Sequence, residues 1–246
     1  MKAIYKTFFT LLGIAAVLSV LAPIFVSAQT SKPSLCSKLT DFVSKFEQKV
    51  IEHESKLEAK RTEILNKITT KRDERDAKLA GNRTKWDDNR NEHYAKLEER
   101  AQTDAQKQAV DTFKTAIEAA VAKRRAAVDA AIQSSRQQTD QLIASRKSSV
   151  DGAVNAFKVA VDDAIEIAEL DCAGSTDSKT VRQTLISSLK VAQEKFKTDR
   201  QAIDKLGPII SQMTTIRNQA IKKAFDDFKA EVEAAKTALK AAFPEE

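Results

Sequence analysis

The chain has 246 residues, with 41 Lys and Arg against 35 Asp and Glu, a formal net charge of +6, and only 5 Gly and 4 Pro. A sheet protein needs a turn every 8–12 residues or so, and turn formers this scarce exclude sandwiches, barrels and parallel βαβ folds in favour of long helices. Charged residues make up 31% of the chain with the two signs nearly balanced, so it is mildly basic and no polycation.

Lys2 and Lys6 precede an almost wholly apolar run, Thr7 to Val26, and Val26-Ser27-Ala28 ends in small residues. That is the three-part form of a secretory signal peptide, residues 1–28, with cleavage expected after Ala28. An uncleaved leader would instead be a transmembrane anchor, since about 20 apolar residues can just span a bilayer. The two cysteines, Cys36 and Cys172, both follow the leader, and an even count in an exported chain predicts one disulfide between them.

From Leu39 the chain repeats every eleven residues. The first position reads Leu39, Val50, Arg61, Arg72, Arg83 and Tyr94, the fourth Phe42, His53, Ile64, Arg75, Trp86 and Leu97, the eighth Phe46, Leu57, Ile68, Leu79, Arg90 and Ala101. Eleven residues in three turns is 3.67 per turn, the signature of a gently right-handed hendecad coiled coil. A second hendecad segment has the stripe Ile117, Val121, Val128, Ile132, Ile143, Val150, Val154, Phe157, Val161 and Ile165, with aspartates recurring at Asp129, Asp140, Asp151 and Asp162. The two segments differ in phase, and Thr103-Asp104-Ala105-Gln106 fits a capping box between them. The midpoint of the cysteines is residue 104. Residues 29–174 therefore read as a disulfide-closed antiparallel hairpin turning near 104, each arm about 100 Å long at 1.5 Å per residue.

Residues 175–246 hold two more helices, broken at Gly207-Pro208. Asp177 is a candidate N-cap, and Val181, Leu185, Leu189, Ala192 and Phe196 form the first stripe. Ile210, Met213, Ile221, Phe225, Phe228, Val232, Leu239 and Phe243 form the second. The break either kinks a third arm or reverses the chain. Extra apolar residues near the cysteines (Val43, Ile51, Leu65, Val159, Ile167, Leu170) favour reversal, giving a four-helix head over a two-helix stalk. The expected fold class is all-α: an elongated antiparallel helical hairpin with a C-terminal helical pair forming a bundle.

Chemistry is sparse in this pattern. His53 falls on the stripe as a seam histidine and His93 off it, and neither has the Glu-x-x-His spacing of a di-iron bundle. Gly-rich phosphate loops, Cys-x-x-Cys, His-Glu-x-x-His and Gly-x-Ser-x-Gly do not occur, so the expectation is a non-enzyme with no cofactor and no metal. The seam arginines are the distinctive feature. With residue i level with 208 − i, Arg61 comes near Arg146 and Lys147, Arg72 near Arg136, and Arg83 near Arg124 and Arg125. Two readings follow: stems that snorkel to neighbouring carboxylates such as Asp73, Glu74, Asp76 and Asp87, or a basic ladder for a polyanion such as a surface polymer or extracellular DNA.

The runs Ala105-Gln106-Lys107-Gln108-Ala109-Val110, Arg124-Arg125-Ala126-Ala127-Val128-Asp129 and Asp171-Cys172-Ala173-Gly174 resemble secreted helical proteins of small-genome bacteria, a resemblance that implies no particular activity. The small, basic, secreted hairpin is also similar to the Skp-type periplasmic holdase chaperones, whose β-rich body it lacks. The leading expectation is a non-catalytic extracytoplasmic coiled-coil protein, structural or interacting, at the cell envelope. The alternatives are a periplasmic holdase-type chaperone or a polyanion-binding protein. Expected partners are an envelope protein or component, a polyanionic surface polymer, or a second copy through self-association.

Overall fold

The computed structural model describes residues 35–203 and 205–243. The expected signal peptide and its cleavage after Ala28 lie outside the described residues. Every described element is helical: α1 (Leu35–Arg100), α2 (Asp104–Ala173), α3 (Ser178–Ala202) and α4 (Leu206–Ala242). The chain is thus all-α, with long helices packed on one another. Among the described residues no helix is long and apolar enough to cross a membrane.

The connections are built from local side chains. Between α1 and α2 there is neither Gly nor Pro. Gln106 Oε1 instead accepts from the Gln102 and Thr103 amides at 2.9 and 3.1 Å, while the Gln106 amide donates to Thr103 Oγ1 at 3.2 Å. This reciprocal box satisfies N–H groups that the start of α2 would otherwise leave orphaned. At the end of α2 the Thr176 amide donates to the Asp171 carbonyl at 3.0 Å, with Ser175 at φ 63°. That is a Schellman closure whose left-handed position holds Ser, although Gly174 is its neighbour. Asp177 then caps α3, accepting from the Lys179 and Thr180 amides. Pro208 falls in the first turn of α4, where its missing N–H costs nothing.

Contacts divide the chain into two units. Unit 1 takes the residues up to Leu65 and Leu142–Gly207, and unit 2 takes Asn66–Gln141 and the residues from Pro208 onward. Unit 1 has a core of three helices: Leu39, Phe42 and Phe46 from α1, six side chains of α2 from Ala153 to Ala168, and Val181, Leu185, Leu189, Ala192 and Phe196 from α3. Phe157 bridges them, 6.5 Å from Phe46 and 5.1 Å from Phe196 between ring centroids. The Cys36–Cys172 disulfide closes the same unit with its Cα atoms 5.6 Å apart, and the Leu35 amide donates to Ser178 Oγ at 3.1 Å. Unit 2 has a smaller core, Tyr94, Ile117, Val121 and Ala235, flanked by Phe113, Phe228 and Val232.

Among the described residues the core around the disulfide contains α1, α2 and α3, not the four helices expected of a head, whereas α4 packs through Phe228, Val232 and Ala235 in unit 2. Most of the apolar residues that suggested otherwise are left in solvent, Ile51 and Leu170 66% exposed and Val159 59%, while Val43 packs against the three-helix core.

Candidate functional site

Most arginines of the seam are paired with carboxylates. In unit 1, Arg61 Nη2 donates to Asp151 Oδ1 at 2.6 Å, and Lys158 Nζ donates to Glu54 Oε1 at 3.1 Å. In unit 2, Arg72 grips Asp140 with two bonds (3.0 and 2.8 Å), Arg83 grips Asp129 with two (3.1 and 2.7 Å), and Arg136 grips Asp76 with two (2.8 and 2.6 Å). Arg125 donates to Asp87 at 2.5 Å, and Lys114 pairs with Glu98. The Tyr94 hydroxyl donates to Glu118 Oε1 at 3.1 Å.

These rungs share one rule: the two residue numbers of each pair add to 212, in both units. Along one track the base is on α1 (Arg61, Arg72, Arg83, each eleven apart) and the acid on α2. Along the other the acid is on α1 (Glu54, Asp76, Asp87, Glu98) and the base on α2. The rung missing from the second track pairs Leu65 with Lys147, and Lys147 turns instead to Asp151, one turn along its own helix, at 2.8 Å.

The level of 208 counted from the cysteines placed like charges together, and the four-residue difference has a simple cause. Helical side chains lean toward the N-terminus of their own helix. Arg61, Arg72, Arg83, Arg125 and Arg136 each reach back one turn, four residues, and meet the carboxylate there, whereas Arg90 departs from the rule and holds Glu118, which is level with it. Arg83 does lie near Arg124 and Arg125, and Arg72 near the Asp76–Arg136 pair, as the level of 208 expects, but Arg61, Arg72, Arg83, Arg125 and Arg136 each hold an aspartate, in keeping with the reading of stems that reach to carboxylates. Three aspartates of this ladder, Asp76, Asp87 and Asp151, titrate low. The Arg136 hydrogen bond holds Asp76 below its ordinary value, and Arg125, followed by Arg90, does the same for Asp87. Burial, the Glu118 charge and the hydrogen bond to Glu118 push the Tyr94 hydroxyl up to about 12.

Arg124 departs from the ladder. Its guanidinium carbon lies 4.1 Å from the centroid of the Phe228 ring, 5.2 Å from Phe225 and 5.4 Å from Trp86. Trp86 comes from α1, Arg124 from α2 and the two phenylalanines from α4, all in unit 2. Among the described residues Arg124 makes no ion pair and no hydrogen bond. The cations beside it are matched: Arg83 with Asp129, Arg125 and Arg90 with Asp87, Arg90 also with Glu118, and Lys123 with Glu231. Burial, then the charges of Arg125, Arg83 and Arg90, pull the Arg124 pKa below the usual arginine value. Trp86 and Phe225 remain 44% and 43% exposed.

Arg124 was legible as one of a run of basic residues, but its aromatic setting was not. Trp86 read as a stripe residue, and Phe225 and Phe228, three apart on one face, read as core. Arg146 is half-buried in unit 1, at a shallow cavity of about 440 Å³ that Ser145, Ser149 and Asp199 also line. His53 is half-buried on α1 and His93 exposed. Among the described residues no group of His, Cys, Asp and Glu could hold a metal ion. Comparison of the chain with protein-family models, with curated proteins and with solved structures finds no match.

Proposed function

We propose that this chain is a non-catalytic structural or interaction protein that works outside the cytoplasm, exported by its leader and acting at the cell envelope. The observation that carries the reading is the Cys36–Cys172 bridge, 136 residues apart in sequence, clasping a hairpin whose seam is given over to charge pairing. Structural disulfides are favoured where the surroundings are oxidising, which supports this reading. In the chain-entropy picture closing so long a loop stabilises the fold by up to about 5 kcal/mol. A seam of matched rungs fixes how two helices lie together, which suits a spacer or a presenting scaffold. Leu170, 66% exposed two residues before Cys172, gives unit 1 an apolar side chain beside the clasp with which to meet a partner.

The test is made in cells. Fusion of alkaline phosphatase to the C-terminus should give an active reporter, and alkylation of intact cells without reductant should find both cysteines blocked. An inactive fusion together with two free thiols would refute the assignment. A photo-crosslinking side chain at Leu170 should trap a defined envelope component or a second copy; monomer alone would remove the interaction half of the proposal. The polyanion reading has one specific observation in its favour, the unmatched Arg124.

A further inference from the structure

We propose that Arg124, with the rings of Trp86, Phe225 and Phe228, forms a binding site for the acidic group of a ring-shaped saccharide, a uronate or a sugar phosphate. The inference extends the polyanion reading and rests on it for the sign of the ligand's charge. The setting of Arg124 is the first ground. In a neighbourhood where Arg83, Arg90, Arg125 and Lys123 each hold a carboxylate, Arg124 holds none, and the three other arginines add to its positive field. Arginine stays charged at any physiological pH, so this is a standing cation with no carboxylate bonded to it, the nearby Asp87 being held by Arg125 and Arg90.

The geometry is the second ground. A guanidinium lying against ring faces is held by cation–π attraction while its in-plane N–H fork stays available to an oxyanion. Two helices, α1 and α4, supply the rings around a cation carried by α2, so the guanidinium is positioned before any ligand arrives. Binding then loses little side-chain entropy.

The ligand's shape follows from what surrounds the cation. Trp86 and Phe225 expose aromatic surface beside it, which suits a molecule with a flat, weakly polar ring face next to its acid. A polynucleotide fits less well. It needs a track of free cations along its backbone, and here the neighbouring cations are already spent on carboxylates. One acid per ring, spaced along a saccharide, matches one unmatched cation.

Trp86 is the single tryptophan of the chain, so its emission reports on the site alone. The folded full-length protein is titrated at low salt with trigalacturonate and, separately, with glucose 6-phosphate. A saturable change in Trp86 emission is expected from at least one. Neutral maltotriose and inorganic phosphate should each bind about tenfold more weakly or not at all. Response to the uronate alone assigns a carboxylate ligand, and response to the sugar phosphate alone assigns a phosphate. Salt at 0.5 M should weaken binding, and R124Q should weaken it about tenfold or more, the loss of a charge-assisted hydrogen bond. Should R124Q fail to fold, F225A removes an exposed ring and should weaken binding several-fold with unchanged helicity. No saturable response to either acidic saccharide would overturn the site, as would inorganic phosphate binding equally well or wild-type affinity in R124Q or F225A. Tighter binding of a single-stranded oligonucleotide would overturn the saccharide assignment while leaving the polyanion reading standing.

Discussion

Reversing a single rung tests whether the ladder chooses the pairing of α1 and α2. Arg72 and Asp140 are joined by two hydrogen bonds, with the side chains 23% and 53% exposed. Exposed pairs contribute about 0.2–1 kcal/mol, and bidentate geometry favours the upper end. R72D loses about 1 kcal/mol and sets two carboxylates against each other, adding about 0.5 kcal/mol. D140R costs a similar amount, so independent effects would total about 3 kcal/mol. The double variant R72D/D140R rebuilds the pair in the sense already used at Asp76–Arg136, where a base on α2 reaches back toward its own N-terminus. It should lie within about 1 kcal/mol of the parent, the residue being like-charge neighbours one turn away at Asp76 and Arg136. Urea unfolding followed by Trp86 emission and by far-UV circular dichroism measures all four proteins, and 1 M salt should shrink the differences. A swap as unstable as the sum of its parts would refute the ladder as a device for register.

L65E supplies the missing acid opposite Lys147 and should raise stability by about 0.5 kcal/mol at low salt; no gain, or a gain that survives 1 M salt, would count against the pairing rule. S175G relieves a left-handed backbone that serine adopts at a cost, and should stabilise by about 0.5–1 kcal/mol in thermal melts, while S175A should not. Asp76, Asp87 and Asp151 all titrate below their ordinary value in the folded chain. Their contribution is therefore complete above the unfolded pKa, near 4, and is lost as pH falls through the lower folded values. The melting temperature should stay level from pH 8 to about 5 and drop only below about 4; a fall between pH 7 and 5 would point to other groups.

The helices were legible because their cause is local. The α3 stripe of Val181, Leu185, Leu189, Ala192 and Phe196 is buried residue for residue. Thr103 and Gln106 box the turn that lacks glycine, and Cys36 meets Cys172. The reading of stems that reach carboxylates named Asp76 and Asp87, which Arg136 and Arg125 hold; what escaped is the register that delivers the α1 arginines to Asp151, Asp140 and Asp129. Arg61, Arg72 and Arg83 were placed by their Cα level, and the one-turn lean that delivers each to an aspartate does not show in a count of residues. The recurrence of Asp129, Asp140 and Asp151 at the arginines' own spacing was the signal that could have found the partners. The course of α4 was misjudged for another reason. Ile51, Val159 and Leu170 were assumed to need cover, yet single apolar side chains commonly stay in water. The cage around Arg124 joins three helices distant in sequence, and only packing brings it together.

A ladder that repeats every eleven residues has no zero mark. If α2 slid by one repeat, Arg61 would find Asp162 and Arg83 would find Asp140, acids again, and the rungs would close almost as well as before. Sliding by one turn instead sets Arg72 against Arg136. The charges thus forbid small errors and are blind to large ones, like a vernier read without its main scale. The main scale is covalent: the three-residue turn at 101–103 and the Cys36–Cys172 bond count the repeats that the charges cannot. During oxidative folding, the single disulfide between these two cysteines commits the chain to one of two electrostatically similar alignments, and a chain denied that bond should populate the slipped one more often.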